Sequence, residues 1–456
     1  MTDLTSVPVP GRQLDWPLRL SPARAEHGAA ARLLPLLSPD VAHTLERALG
    51  GEEVSVDEGE RLFGVTGIDY QALVIAADEL RAAAVGETVT YVLNRNINFT
   101  NVCIKHCGFC AFSRDHRTEE GYFLPASEIV RRAQQAWDLG ATEVCVQAGL
   151  PPKMDGRLYV DLTLELKKAL PDLHIHGFSP EEVLYGSIRS RVSIREYLGW
   201  LKEAGVGSLP GTSAEILDQK VRDRIAPGRI TKAQWIEVIS EAHHVGIPTT
   251  STIMYGHLET NRHRAAHIAT LREIQRETGG FTEFVPLSFV HSEAPMYQKQ
   301  LVGGLRPGPT GQDVIKMYAV SRLMLNGFIP NIQVSWVKEG TRLAQIGLTA
   351  GGNDVGGTLI NESISTAAGA GNGQLVRPAE LRRIARDLGR LPAERSTLYG
   401  IRRVFHAEPA ELEPLDDPAL DTAQFGSYGQ LTHGAAFRFV EFFREQNEQK
   451  AAGAAR

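Results

Sequence analysis

The chain has 456 residues, 48 basic against 54 acidic side chains, a formal net charge of −6 and 43% hydrophobic residues. This is an ordinary soluble composition with enough apolar residues for a large core, and the absence of a basic run argues against nucleic acid or an anionic membrane as partner. No stretch approaches a transmembrane span and the N-terminus lacks a basic-then-apolar secretory layout, so the expected location is the cytoplasm.

Length alone would suit about three domains, yet α/β barrels run past about 250 residues as one unit. Residues up to Pro22 carry no clear period and read as a loose leader. Ser38-Pro39-Asp40 reads as an N-cap with Pro at the first helical position, opening a helix that stops at Gly50. Ser55 and Glu58 form a capping-box pattern for a short helix reaching Phe63, and Tyr70 to Ala84 is a third helical stretch. These helices are expected to pack against one end of the main fold.

From Thr88 the period changes to two, with Val89, Tyr91 and Leu93 on one face of a first strand. Further candidate strands are Glu143 to Gln147, His174 to Phe178, Gly207 to Leu209, Pro248 to Ile253, Glu283 to Leu287, Asn331 to Val334 and Gly356 to Ile360. Helical patterns separate them: Ser127 to Asp138, Leu162 to Leu170, Ile194 to Ala204, Thr231 to His244, Arg262 to Thr278 and Gln312 to Asn326. Eight strands alternating with helices predict an α/β fold, a (β/α)8 TIM-type barrel with an N-terminal helical extension. A doubly wound sheet is the rival, but no Gly-x-Gly-x-x-Gly turn opens a helix. The expected division is 1–87 leader and helical cap, 88–375 barrel, 376–456 C-terminal helical region and tail.

Three of the four cysteines fall in Cys103-Ile104-Lys105-His106-Cys107-Gly108-Phe109-Cys110, on the loop after the first strand, where barrel enzymes keep their chemistry. Three thiolates in a compact loop suit a [4Fe-4S] cluster and leave one iron open. A structural zinc would want a fourth ligand, and His106, adjacent to Cys107, would strain to join the same tetrahedron. Four cysteines in so long a chain make a poor disulfide framework.

Other post-strand segments carry candidate groups. His174 and His176 share one side of their strand, and His176, nearer the mouth, is the candidate to bind substrate or move a proton. His174 reads as a satisfied interior histidine, Cys145 as a small core residue, and His291 as a second mouth histidine. Ser213 and Glu215 read either as helix caps or as ligand contacts. Asn353-Asp354 and Asn361-Glu362 flank the eighth strand, where they offer hydrogen bonds to a polar heterocycle; Gly356 and Gly357 also suit a turn needing positive φ.

The Cys-x3-Cys-x2-Cys spacing, with Phe109 before the last cysteine, resembles the signature of the radical S-adenosylmethionine (SAM) enzymes. The resemblance implies that Cys103, Cys107 and Cys110 hold the cluster and that SAM chelates the open iron, with Phe109 beside it. Gln147 and Gly149 would stand in the segment that receives the methionine amino group, Ser213 and Glu215 near the ribose or methionine amine, and Ile253 and Gly256 in the element packing on adenine. Asn94 to Asn101, Ala111 to Arg114, His176 to Glu182, Leu209 to Glu215, Gln333 to Trp336 and Gly352 to Gly357 carry a narrower resemblance, to the FO synthase subunit 2 family. That family implies substrates L-tyrosine and 5-amino-6-(D-ribitylamino)uracil, a separate FO synthase subunit 1 and an electron donor. A radical enzyme of the futalosine route to menaquinone is the alternative, and a non-catalytic cluster protein is a third reading.

Overall fold

The computed structural model describes residues 16–409 and 412–441. The leader expected up to Pro22 lies outside the described residues as far as residue 15, as does the tail beyond residue 441. The chain is α/β. Its strands are β1 (Thr88–Val92), β2 (Asn94–Ile97), β3 (Glu143–Val146), β4 (His174–His176), β5 (Thr249–Tyr255), β6 (Phe281–Ser288), β7 (Asp354–Gly357), β8 (Leu391–Arg395) and β9 (Ile401–Val404).

Parallel pairing passes from β2 to β3 and from β3 to β4. It continues through single bridges, His176 to Ser208 and Leu209 to Thr249, into β5 and then β6. Bridges from Phe284 to Ile332 and from Gln333 to Asp354 lead to β7, which pairs with β1. The expected strands at Gly207 to Leu209 and Asn331 to Val334 are therefore bridges rather than full strands. The first expected strand is β1, and β2 follows it after Leu93 as a strand the sequence reading does not foresee. Residues of β5 and β6 are buried on both faces apart from half-buried Leu287, as parallel strands covered by helices require.

Helices Pro39–Leu49 and Val56–Gly64 start where the sequence places them, the second with its Ser55/Glu58 capping box formed, and the third, Gly67–Val85, starts one turn before the expected Tyr70. They do not close one end of the fold. Val56–Gly64 packs on helix Asn261–Thr278, and Gly67–Val85 packs on helix Gly311–Met324, so the extension adds to the outer helical layer. The region after residue 375, expected to be helical, also contains strands: β8 runs parallel to β1, and β9 returns antiparallel to β8. Arg395 at the end of β8 is thereby brought under the strands, against Asp354 and Glu283.

Candidate active site

The cysteine loop follows β2 and is stitched to its surroundings by backbone hydrogen bonds. Cys103 N donates to Arg114 O (3.1 Å), Ile104 N to Leu150 O (2.8 Å), Gly108 N to Ile225 O (2.8 Å) and Met296 N to Gly108 O (2.7 Å). Gly149 closes the approach from the other side: its N donates to Thr100 O (2.9 Å), and a Cβ there would stand 2.3 Å from Val102 O, which only glycine avoids.

All three thiols are free and line one cavity with Phe109, Gln147, Gly149, Ser213, Glu215 and Met254. Among the described residues, no three His, Cys, Asp or Glu side chains are grouped so as to hold a single metal ion. Three thiols that share one cavity suit a cluster in which each thiolate takes a different iron. His106 is exposed and lines a surface cavity that Cys107 and Cys110 also border. Lys105 N donates to Cys103 Sγ (3.4 Å) and Arg229 Nη1 to Cys107 Sγ (3.6 Å), contacts that favour thiolates. Burial pushes the Cys107 thiol up to about 12 while Arg229 pulls it down.

Arg229 organises the floor of this cavity. It donates to Ser213 Oγ (2.8 Å), pairs with Glu215 (2.8 Å) and Glu181 (3.3 Å), and lies over the Phe109 ring (5.3 Å). Glu181 also pairs with Lys105 (3.2 Å) and accepts from Ile230 N (2.8 Å), so the cysteine loop, the β4 loop and the segment before helix Lys232–His244 share one charge network. Ser213 and Glu215 sit at φ of 66° and 44°, a strained conformation for residues with side chains. They do not cap a helix, because Asp218 is the N-cap of the next one.

A second, more polar cavity is bordered by strands β2, β3, β4, β6 and β8 and lined by Asn94, Asn96, Asn98, Glu143, Cys145, His176, Glu283, Glu362 and Arg395 among others. Gln147, Thr212, Leu287, Lys338 and Ile364 line both cavities, so the two are contiguous. Asn94, Asn96 and Asn98 reach the same side because alternate strand residues do. The side-chain oxygens of Asn96 and Asn98 are buried without a hydrogen-bond partner. Cys145, expected in the core, faces this cavity instead.

His174 Nε2 and His176 Nδ1 both bond Ser208 Oγ at 2.7 Å. Burial holds His176 down to about 3, so it is neutral at ordinary pH. His291 lines none of these three cavities and packs edge-on against Tyr297, with ring centroids 4.5 Å apart. Ile253 is fully buried and Gly256 holds a turn at φ 92°; their neighbour Met254 is the residue that reaches the thiol-lined cavity. Asn353 and Asp354 do not offer themselves to a ligand. Asn353 Oδ1 accepts from Arg322 Nη2 and Ile332 N (both 2.8 Å), and Asp354 is bound by Arg395. Arg229 and Lys338 escaped the sequence reading, and Glu181 and Met254 entered it only as members of longer segments, since a single charge or methionine has no period or spacing to mark its place.

Residues 97–271 match the family described as the Radical SAM superfamily, and residues 278–407 the one described as the CofH/MqnC C-terminal region. The 5-amino-6-(D-ribitylamino)uracil–L-tyrosine 4-hydroxyphenyl transferase of Methanothermobacter thermautotrophicus is 50% identical, the match covering 78% of this chain and 96% of that protein. The FO synthase of Streptomyces avermitilis is 46% identical over 82% of this chain, which spans 43% of that longer protein. Among solved structures, methylornithine synthase (PylB) superposes with a TM-score of 0.58 at 18% identity, covering 77% of this chain and 97% of that one. The hydrogenase maturase HydG of Carboxydothermus hydrogenoformans superposes with a TM-score of 0.61 at 15% identity, covering 82% and 83%. These two are likenesses of fold alone.

Fold and thiol-lined cavity together define a radical SAM enzyme, which uses a [4Fe-4S] cluster and S-adenosylmethionine. Within that class the chain belongs to the family of 5-amino-6-(D-ribitylamino)uracil–L-tyrosine 4-hydroxyphenyl transferases. Among the described residues no helix is long and apolar enough to cross a membrane.

Proposed function

We propose that this protein cleaves L-tyrosine and couples its 4-hydroxybenzyl group to 5-amino-6-(D-ribitylamino)uracil, a step of deazaflavin (FO) biosynthesis. The observation that carries this reading is the polar interior cavity opening directly onto the cavity of the three thiols. Cys103, Cys107 and Cys110 hold the cluster, and Phe109, Gln147, Gly149, Ser213 and Glu215 surround SAM. Bound there, cluster and SAM supply the 5′-deoxyadenosyl radical that accepts a hydrogen atom. L-tyrosine loses that hydrogen from its amino group and breaks between its α and β carbons into a glyoxylate imine, which leaves, and a 4-hydroxybenzyl radical, which bonds carbon 5 of the diaminouracil. The adduct then gives up one proton and one electron, matching the electron spent on cleaving SAM.

The interior cavity takes the diaminouracil. Its ring and amino N–H groups suit the partnerless oxygens of Asn96 and Asn98, which would otherwise remain costly buried acceptors. Neutral His176 stands beside it as a hydrogen-bonding or proton-moving group. The ring of parallel pairings supports a closed (β/α)8 barrel with the radical source at its mouth, which keeps water from the benzyl fragment. The longer FO synthase relative supports a separate subunit 1 as the partner that cyclises the product. The reducing cytoplasm suits the thiolates. Relatives 47–50% identical carry the transferase name, which favours this reading over the futalosine-route alternative.

The test is anaerobic turnover of reconstituted protein with reductant, SAM, L-tyrosine and the diaminouracil, followed by mass spectrometry. Formation of 5′-deoxyadenosine and of an adduct that disappears when either substrate is omitted is expected. Deoxyadenosine without adduct would mean that the substrates are wrong, and futalosine-route substrates would be tried next.

A further inference from the structure

We propose that Lys338 is the counter-ion of the amino-acid substrate, holding the carboxylate of L-tyrosine at the junction of the two cavities; this rests on the function proposed above. The argument is one of charge accounting. The cationic side chains lining the two cavities are Lys105, Arg229, Lys338 and Arg395, with His176 neutral. Lys105 pairs with Glu181 (3.2 Å), Arg229 with Glu215 (2.8 Å), and Arg395 with Asp354 (2.5 Å). Lys338 alone among them has no ion pair or side-chain hydrogen bond among the described residues.

The carboxylates whose charge reaches it are all held by other donors. Glu362 accepts from Asn96 Nδ2 (2.7 Å) and Ser365 N (2.5 Å), Glu339 accepts from the Ser288 hydroxyl, and Glu215 is paired with Arg229 (2.8 Å). Burial lowers the Lys338 pKa, the mark of a cation that lacks a partner, and a bound anion would reverse this.

The side chain is carried on a fixed backbone. Trp336 Nε1 donates to Gly357 O (2.8 Å), Lys338 N to Ser335 O (3.1 Å), and Asn372 Nδ2 to the carbonyls of Val337 (3.1 Å) and Lys338 (3.3 Å). Of the two proposed substrates only tyrosine carries a carboxylate, and it must lie between the radical source and the diaminouracil. Lys338 lines both cavities and so stands at that place.

The experiment is steady-state kinetics of Lys338→Ala and Lys338→Met, each first shown to keep wild-type iron content and cluster absorbance, with calorimetry of L-tyrosine binding. The expected result is a KM and Kd for L-tyrosine raised roughly 10- to 100-fold, the loss of one charge-assisted contact, with the KM for SAM and for the diaminouracil changed by less than about twofold. Lys338→Arg should recover most of the tyrosine affinity. Tyramine, which lacks the carboxylate, should bind wild type and Lys338→Ala alike. Unchanged tyrosine binding in both neutral variants, or a rise confined to the KM for SAM, overturns the assignment. Should both neutral variants lose the cluster, a Lys338→Arg protein that keeps its cluster but not its tyrosine affinity also overturns it, and retained affinity supports it. A wild type that makes adduct while the variants fail these expectations removes only the role of Lys338; a wild type that does not consume tyrosine removes the function and this assignment together.

Discussion

Arg395 meets Asp354 with two parallel hydrogen bonds beneath the interior cavity, Nε at 2.5 Å from Oδ2 and Nη2 at 3.0 Å from Oδ1, both side chains at most 3% exposed. Asp354 also accepts from Thr90 Oγ1 (2.5 Å), and Arg395 lies 4.1 Å from the ring centroid of Tyr399, whose hydroxyl donates to Glu283. Strands β1, β6, β7 and β8 therefore meet in one buried cluster. Removing one member leaves a charge buried without its partner, which costs more than the pair contributes net. Arg395→Ala and Asp354→Asn are each expected to destabilise the fold by about 3–5 kcal/mol, and the double variant by less than the sum. Urea midpoints of the four proteins check this, and additive losses would show that the pair is not coupled.

The cysteines divide into two classes. Cys103, Cys107 and Cys110 share a cavity, whereas Cys145 faces the interior cavity, with Gln147 Nε2 donating to its sulfur (3.3 Å). Alanine at any of the first three is expected to abolish turnover and strip most of the bound iron, as the proposed ligation of one iron by each thiolate requires. Cys145→Ala should keep its iron. Iron and sulfide content after anaerobic reconstitution measures both, and a member of the triad that keeps normal iron and activity would end its assignment as a ligand.

What the sequence made legible follows from how far each signal extends along the chain. Helix Ile194–Ala204 was readable to the residue because its apolar period, Ser193 cap and Gly205 stop agree. The cysteine loop was readable because three ligands fall within eight residues. Helix Pro180–Ser190 does not emerge from the sequence although Ser179 and Glu182 form its capping box, because the same residues fall within a family motif. Strand β8 was missed because Leu391-Pro392-Ala393-Glu394-Arg395 buries Arg395, which the pattern codes as a surface residue. Arg229 and Lys338 owe their places to contacts with residues far along the chain, and no local pattern records such contacts.

Glu339 gives the stability a pH dependence. Burial raises its carboxyl from the ordinary 4.5 to about 7, against the opposing hydrogen bond from Ser288. The folded chain thus holds this proton more tightly than the unfolded chain. The contribution is complete below about pH 4.5 and is lost as the pH rises through about 7. Half-burial of the side chain limits the effect to the order of 1–3 kcal/mol. Glu339→Gln, which cannot ionise, is expected to flatten the difference between urea midpoints at pH 5 and pH 8. An unchanged difference would place the titration elsewhere.

Arg229 is expected to matter more than any other side chain that does not bind the cluster directly. Its guanidinium serves Cys107, Ser213, Glu215 and Glu181 at once, and it covers the face of Phe109. Arg229→Ala would leave two carboxylates at the cavity floor without their shared cation and the Cys107 sulfur without its N–H donor. Groups that orient and tune ligands in this way typically account for about 10- to 100-fold in metal affinity or activity. Loss of that order is expected in deoxyadenosine formation, accompanied by reduced iron content. Arg229→Lys should recover little of it, because a lysine ammonium cannot reproduce a planar fork that reaches four partners. Parallel measurement of iron content and deoxyadenosine rate separates the two effects: normal iron with slow cleavage would place Arg229 chiefly on the SAM side, through Ser213 and Glu215, and iron loss in proportion to rate would place it chiefly on Cys107.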